Sequence, residues 1–347
     1  MKPEVKRYLR WFIRIGVSAG LIFLLLMHVD MNKLVQSFLN LNIGWFLVAL
    51  LIKGTGIFAG VVRWQLLLRG QELDLPLSNL GGAYLVGRFF GSFLPSTIGL
   101  DAYRTYYAAV RTREVAKTVA VTVVEKVVGL LALSALALVA LPLGMRLLNE
   151  KALWMLGAAL CAPVAAAALL LFYPGLFVRI ANLFHRLGKR WSEGIAKWSE
   201  AVGHFGKQRS RLFLALLLGL VVHGCTSAMY IATARAVGVE VPATEILFIG
   251  PLMIAATLVP ISIAGIGVRE GTYVFFLASV GVPTEQAALL AFLGYLAGEI
   301  YSLIGGAVWA ITPAARPEEG HGLVEVVKRA AAWVKGGHKQ AGEEMGS

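Results

Sequence analysis

Long, nearly uncharged apolar runs alternate along the chain with short polar connections. A bilayer's hydrocarbon core, roughly 30 Å thick, needs about 20 apolar residues at the α-helical rise. Trp11–Val29, Gly44–Val62, Val115–Leu141, Ala152–Phe172, Leu212–Ala234 and Ala287–Ile311 meet that length and predict full transmembrane helices, six in all. Leu80–Leu100 and Ile246–Val280 are equally apolar but are interrupted by Pro and Gly, so they do not read as simple spans.

Charge in the connections orients the spans. Met1–Arg10 carries Lys2, Lys6, Arg7 and Arg10 against Glu4, and the segment after the fourth span is rich in Lys and Arg. Positively charged loops stay on the cytoplasmic side, which places both there. The run after Met1–Arg10 lacks a small-residue cleavage site and reads as a retained first span. Arg104, Arg111, Arg113 and Lys117 put the connection after Leu80–Leu100 inside as well, so that stretch must turn back. The fold class that follows is an all-α polytopic membrane protein of a cell (cytoplasmic) membrane, with both termini cytoplasmic. Its membrane domain covers 1–312, with re-entrant segments at 80–104 and 246–280 opening to opposite faces. Within 177–211, Phe177, Ile180, Phe184, Leu187 and Trp191 recur at steps of three and four among basic residues, predicting an amphipathic helix on the cytoplasmic surface. Residues 313–347 read as a basic, disordered cytoplasmic tail.

Composition agrees with a bilayer and excludes an ordinary soluble fold: 58% of residues are hydrophobic and only 15% charged. The net charge of +12 follows the loops, so it reports orientation and contact with anionic lipid, not nucleic-acid binding. Cys161 and Cys225 lie inside apolar runs and read as small buried hydrophobes.

The two broken segments resemble each other. Pro95, Ser96, Gly99 and Arg104 in the first correspond to Pro260, Ser262, Gly265 and Arg269 in the second, each Arg standing nine residues after its Pro. Related broken elements entering from opposite faces are the pattern of inverted-repeat transporters, with a midplane site between them. Backbone freed by Pro95, Pro260, Gly99, Gly265 and Gly267 needs partners inside the protein or in a polar cavity. Arg104 and Arg269 stand where helices resume and favour an anion such as a phosphate head group; plain turn residues with snorkelling Arg side chains are the alternative.

Ionisable residues inside spans cost roughly 2.5–3.5 kcal/mol each on insertion scales, so each calls for a partner or a role. Lys53 shares a face with Gly56 and Gly60, Arg88 lies between Gly87 and Gly91, and Glu125 shares a face with Thr118, Thr122 and Gly129. Glu299 follows Gly298, and Glu270 follows Arg269. Lys53, Arg88, Glu125 and Glu299 allow two buried ion pairs, serving structure, head-group binding or proton coupling. Lys126 points to another face and is set aside. Gly294, Gly298, Ser302 and Gly306 form a small-residue face for close helix packing. The sequence contains no catalytic triad, metal-ligand spacing, phosphate loop or dinucleotide fingerprint, so no catalytic residue, metal or cofactor is expected.

Arg88, then Leu94-Pro95-Ser96 with Gly99-Leu100-Asp101-Ala102-Tyr103-Arg104, then Glu125-Lys126-Val127-Val128-Gly129-Leu130, then Pro260-Ile261-Ser262 with Gly265-Ile266-Gly267-Val268-Arg269-Glu270, together resemble the lysylphosphatidylglycerol synthase transmembrane region family. The resemblance spans about residues 10–312 and implies lipid translocation between leaflets. It carries Arg88, Pro95, Ser96, Asp101, Arg104, Glu125, Pro260, Gly265, Gly267, Arg269 and Glu270 over as transport residues. Gly99-Leu100-Asp101 replaces the family's usual Gly-Gly-Asp, and the soluble aminoacyl-transferase domain is not expected, nor its activity. The expectation is a flippase for an anionic phospholipid or polyprenyl-phosphate lipid, possible as a homo-oligomer or beside a lipid-modifying enzyme. A membrane scaffold subunit of a glycosyl- or aminoacyl-transferase and a proton-coupled small-anion transporter are the competing readings.

Overall fold

The computed structural model describes residues 20, 23, 27, 30–93, 98–172, 208–258, 262 and 265–312. Among them every regular element is helical: α1 (Met31–Leu39), α2 (Ile43–Gly70), α3 (Leu77–Phe93), α4 (Ile98–Thr112), α5 (Val115–Ala140), α6 (Glu150–Phe172), α7 (Arg209–Val237), α8 (Ala243–Leu258), α9 (Val268–Ala278) and α10 (Thr284–Ile311). A short 3-10 turn, Leu141–Arg146, extends α5.

Among the described residues, four helices are long and apolar enough to cross a membrane: α2, α5 with its extension, α7 and α10. Each coincides with a predicted span, and the chain is a multi-pass membrane protein. The fourth predicted run forms α6, while most of the first run, residues 177–207 and the tail lie outside the described residues. The connection after residue 30 differs from expectation. It forms α1, started by the Asp30 carboxylate, which accepts the Asn32 and Lys33 amides at 2.9 and 3.3 Å. Glu285 on α10 accepts the Asp30 amide at 3.0 Å and holds α1 against that helix.

Both broken segments fold as antiparallel helix pairs. In α3–α4, a side chain at Gly87 would meet Leu100 and Arg104, and one at Gly91 would meet the Leu100 backbone at 3.3 Å. In α8–α9, Thr257 lies against Gly265 and the rings of Phe248 and Phe276 meet edge to face at 5.8 Å. As one residue number rises its partner's falls, so the chain doubles back in each pair. The second turn requires glycine, because Gly265 and Gly267 adopt φ of 75° and 84° and a Cβ at Gly265 would also strike Thr257.

The element order therefore repeats: span, hairpin, span in α2 to α5 and again in α7 to α10. α2 and α7 form the central antiparallel pair, tied by Asn42 N–H to Ala236 O at 2.9 Å at one end and by Gln208 Nε2 to Gly70 O at 2.8 Å at the other. Each half has its own apolar core. Trp64, Leu67, Leu80, Val86, Tyr103 and Val124 form one, and Ile246, Phe248, Ile249, Tyr273, Leu277 and Leu290 the other.

The halves are locked together by α3 against α10. The small face of α10 serves this contact, with Gly306 under the Phe89 ring and Gly305 directly against the Leu85 carbonyl. Backbone cannot yield as a side chain does, so Gly305→Ala is expected to destabilise the protein by about 1–3 kcal/mol, read as a lowered melting temperature in detergent. Gly81→Ala, whose added methyl meets nothing within 4 Å, is its control.

Candidate functional site

A cavity of about 530 Å³ lies between the two cores. Its polar wall comes from both hairpins, through Arg88, Ser92, Ser262 and Arg269, and from three spans, through Lys53, Thr226 and Glu299. Lys53, Thr226 and Glu299 stand near the middle of α2, α7 and α10, so the cavity is at mid-depth of those helices. The volume is in the range of small-molecule pockets.

Helix packing aims these side chains. Gly56, on the Lys53 face, fits against Cys225 of α7, and Gly60 fits against the Tyr84 hydroxyl; this close approach turns Lys53 inward. Arg88 donates from Nη2 to Gly298 O at 2.9 Å, across the α3–α10 contact. Ser92, one turn on, donates to Glu299 Oε2 at 2.6 Å. A Cβ at Gly298 would lie 3.3 Å from Arg88 Nη2 and 3.6 Å from Lys53 Cε, so this glycine lets both cations converge on one point of the wall. Arg269 enters from the other hairpin with its guanidinium over the Tyr295 ring at 4.7 Å.

Among the described lining residues, Lys53, Arg88 and Arg269 face the cavity with one carboxylate, Glu299, while Glu270 lies 3.7 Å from Arg269. Two buried polar atoms of this wall, Arg88 Nε and Ser262 Oγ, have no hydrogen-bond partner among the described residues. Such groups are costly to leave unmade in a low-dielectric interior. The wall is thus equipped to hold an anion with several acceptor oxygens, and Leu100, Met253, Ile254 and Leu258 give the cavity an apolar side.

A second charge cluster lies apart from the cavity. Glu125 accepts from Arg63 Nη2 at 3.0 Å and from Arg104 Nη1 at 3.1 Å. Arg104 also reaches Asp101 at 2.7 Å, and Lys126 reaches the other Asp101 oxygen at 2.6 Å. The deepest charges are therefore arranged differently from two pairs among Lys53, Arg88, Glu125 and Glu299: Glu125 sits with Arg63 and Arg104, and the other three share the cavity. Lys126 does diverge from Glu125, yet its stem is long enough to enter the same cluster. Arg63 escaped the sequence reading because the apolar run was ended at Val62, whereas α2 continues to Gly70. The steps 53, 56, 60 and 63 on one helical face were the available signal.

A family model for the lysylphosphatidylglycerol synthase TM region matches residues 11–306. The chain belongs to that family. The family is a membrane domain associated with lipid handling. Comparison with curated proteins finds no match to this chain. Of the positions singled out in the sequence, Arg88, Gly265 and Arg269 line the cavity, as do Lys53 and Glu299. Asp101, Arg104 and Glu125 form the second cluster. Glu270 shapes the turn: its Oε2 accepts the Gly267 amide at 2.7 Å and its Oε1 lies 3.7 Å from Arg269. Pro95, Ser96 and Pro260 lie outside the described residues.

Proposed function

We propose that this protein translocates an anionic phospholipid or a polyprenyl-phosphate-linked lipid between the leaflets of a cell membrane, binding its head group in the cavity between the two hairpins. The observation that carries this reading is the convergence of Lys53, Arg88 and Arg269 on one mid-depth cavity. A cation buried at this depth is expensive unless an anion visits it. The phosphate takes the Lys53–Arg88 side at Gly298, while Arg269 and Ser262 offer donors from the opposite hairpin. Hairpins re-entering from opposite faces let the site meet each leaflet in turn. The role is transport and not covalent catalysis. Asp101, Arg104 and Glu125 hold the first hairpin on α2 and α5, and Gly267 and Glu270 shape the second turn. In this orientation both termini are cytoplasmic.

The test is scrambling of tail-labelled phosphatidylglycerol and of a polyprenyl phosphate in proteoliposomes. The expected result is faster translocation than in protein-free vesicles for at least one of these lipids; no acceleration for either overturns the reading. Gly298→Val places a branched side chain between Arg88 and Lys53 and is expected to slow translocation by about tenfold or more, the effect of roughly 1.4 kcal/mol. Its melting temperature serves as the control for folding.

A further inference from the structure

α1 has 9 residues and none of them is buried, yet both its ends are fixed. At the α-helical rise it is about 13 Å long, under half of a hydrocarbon core, so it cannot be a span. At its start the Asp30 amide donates to Glu285 in the first turn of α10, at 3.0 Å. Just past its end the Asn42 amide donates to Ala236 O in the last turn of α7, at 2.9 Å, and α2 begins at the next residue. These three helix ends share one side of the membrane. α2 and α7 run antiparallel, so the start of α2 stands beside the end of α7. Gly294 of α10 packs against the Tyr230 ring near that end of α7, which keeps the start of α10 there as well. A helix held at both ends to one level of the bilayer runs along its surface.

The side chains of α1 sort into three faces, roughly 120° apart at 3.6 residues per turn. Leu34 and Ser37 turn to the protein and are half-buried, Leu34 against the apolar core of the second half. Asn32, Lys33 and Gln36 form an exposed polar face. Met31, Val35, Phe38 and Leu39 form the third, and each of these large apolar side chains is more than half exposed. One face on the protein, one polar and one apolar is the pattern of a helix lying in a membrane interface beside the protein it belongs to. The apolar exposure continues into α2 through Ile43, Leu47 and Leu51, which recur at four-residue steps and are 66%, 54% and 71% exposed, the surface that a span shows to lipid. The face of α1 therefore joins a surface that the bilayer already covers. A protein partner fits it poorly, because four side chains fall far short of the roughly 20–30 residues that each side of a stable protein interface supplies.

We propose that α1 is a membrane-surface helix whose partner is the lipid interface: Met31, Val35, Phe38 and Leu39 sink into the head-group boundary of the leaflet at which α2 begins, while Asn32, Lys33 and Gln36 face water. Through Glu285 the helix holds the first turn of α10 at that boundary. α10 carries Gly298 and Glu299 further along, so α1 sets the depth of the cavity wall from the membrane surface. This holds whatever the cavity carries.

The experiment places nitroxide spin labels at single cysteines, Val35→Cys, Gln36→Cys and Leu39→Cys, in the full chain with Cys161 and Cys225 replaced by alanine. Each labelled protein is reconstituted in vesicles of phosphatidylcholine and phosphatidylglycerol. Collision rates with oxygen, which concentrates in lipid, and with a nickel chelate, which stays in water, report the depth of each label. The labels at 35 and 39 are expected about 5–10 Å inside the head-group boundary, and the label at 36 in water. Met31→Cys, on the same apolar face, takes the place of either position if its variant does not fold. Water exposure of all three labels would overturn the proposal. Exclusion of both probes from 35 and 39 would overturn it too, since that marks a protein cover over the apolar face, supplied by a second copy or by residues 1–29 of this chain.

Discussion

Replacing Arg88 with glutamine is expected to lower translocation of phosphatidylglycerol by about 100-fold while leaving the melting temperature nearly unchanged. The side chain gives one hydrogen bond to Gly298 O, at 2.9 Å, and keeps Nε without a partner in the cavity wall. Glutamine retains a donor for the carbonyl but removes the charge and the fork that a phosphate would grip. Loss of a charged hydrogen bond to a buried anion costs about 3 kcal/mol, which is the stated rate if it is felt fully in the head-group-bound state. The comparison with Arg88→Lys separates charge from geometry. Lysine restores the charge without the planar fork, so partial recovery identifies electrostatics as one part of the effect and bidentate binding as the rest.

Glu125→Ala should have the largest effect on stability. The carboxylate answers Arg63 from α2 and Arg104 from α4, and its removal strands two buried guanidinium groups in the first half of the fold. Breaking a buried pair by deleting one partner typically costs about 3–5 kcal/mol, far more than the pair's net contribution when intact. The expected observation is a large fall in melting temperature in detergent, with the α3–α4 hairpin exposed first to limited proteolysis, because Arg104 and Asp101 are its links to α5. Arg63→Ala, which leaves Glu125 still paired with Arg104, should cost less. Equal losses from both would mean that the cluster does not act through Glu125 as its hub.

These two residues also mark where the sequence was informative and where it was silent. Hydropathy located α2, α5, α7 and α10, since a bilayer selects for run length and little else. Pro and Gly located both hairpins, because only a broken segment needs them at membrane depth. The repeated Pro-to-Arg spacing pointed to a cavity between related elements, and Arg269 lines one. Arg104 does not: it turns to Glu125, a partner fixed by how α4 is rotated against α5, which linear spacing does not encode. The same limit hid Arg63 behind the end of an apolar run and concealed Lys126, whose long stem reaches a neighbour that its Cβ direction would not suggest. The helix α1 was missed although its signals were present: Asp30 as the cap, with Met31, Leu34, Val35 and Phe38 at helical steps.

The hairpin glycines follow the same logic. Gly91 and Gly87 are read in sequence only as neighbours of Arg88, yet in the fold they set the distance between α3 and α4. Gly298 was counted with a packing face and proves instead to be the gap through which two cations share one space.

The central claim is that the lipid phosphate resides between Lys53, Arg88 and Arg269. It is tested most directly by a cryo-electron microscopy structure of the protein in nanodiscs containing phosphatidylglycerol. The account predicts head-group density in the cavity beside Gly298, within hydrogen-bonding distance of Arg88 and Lys53. Lipid density confined to the outer surface of the helices, with the cavity filled by ordered water alone, would contradict it.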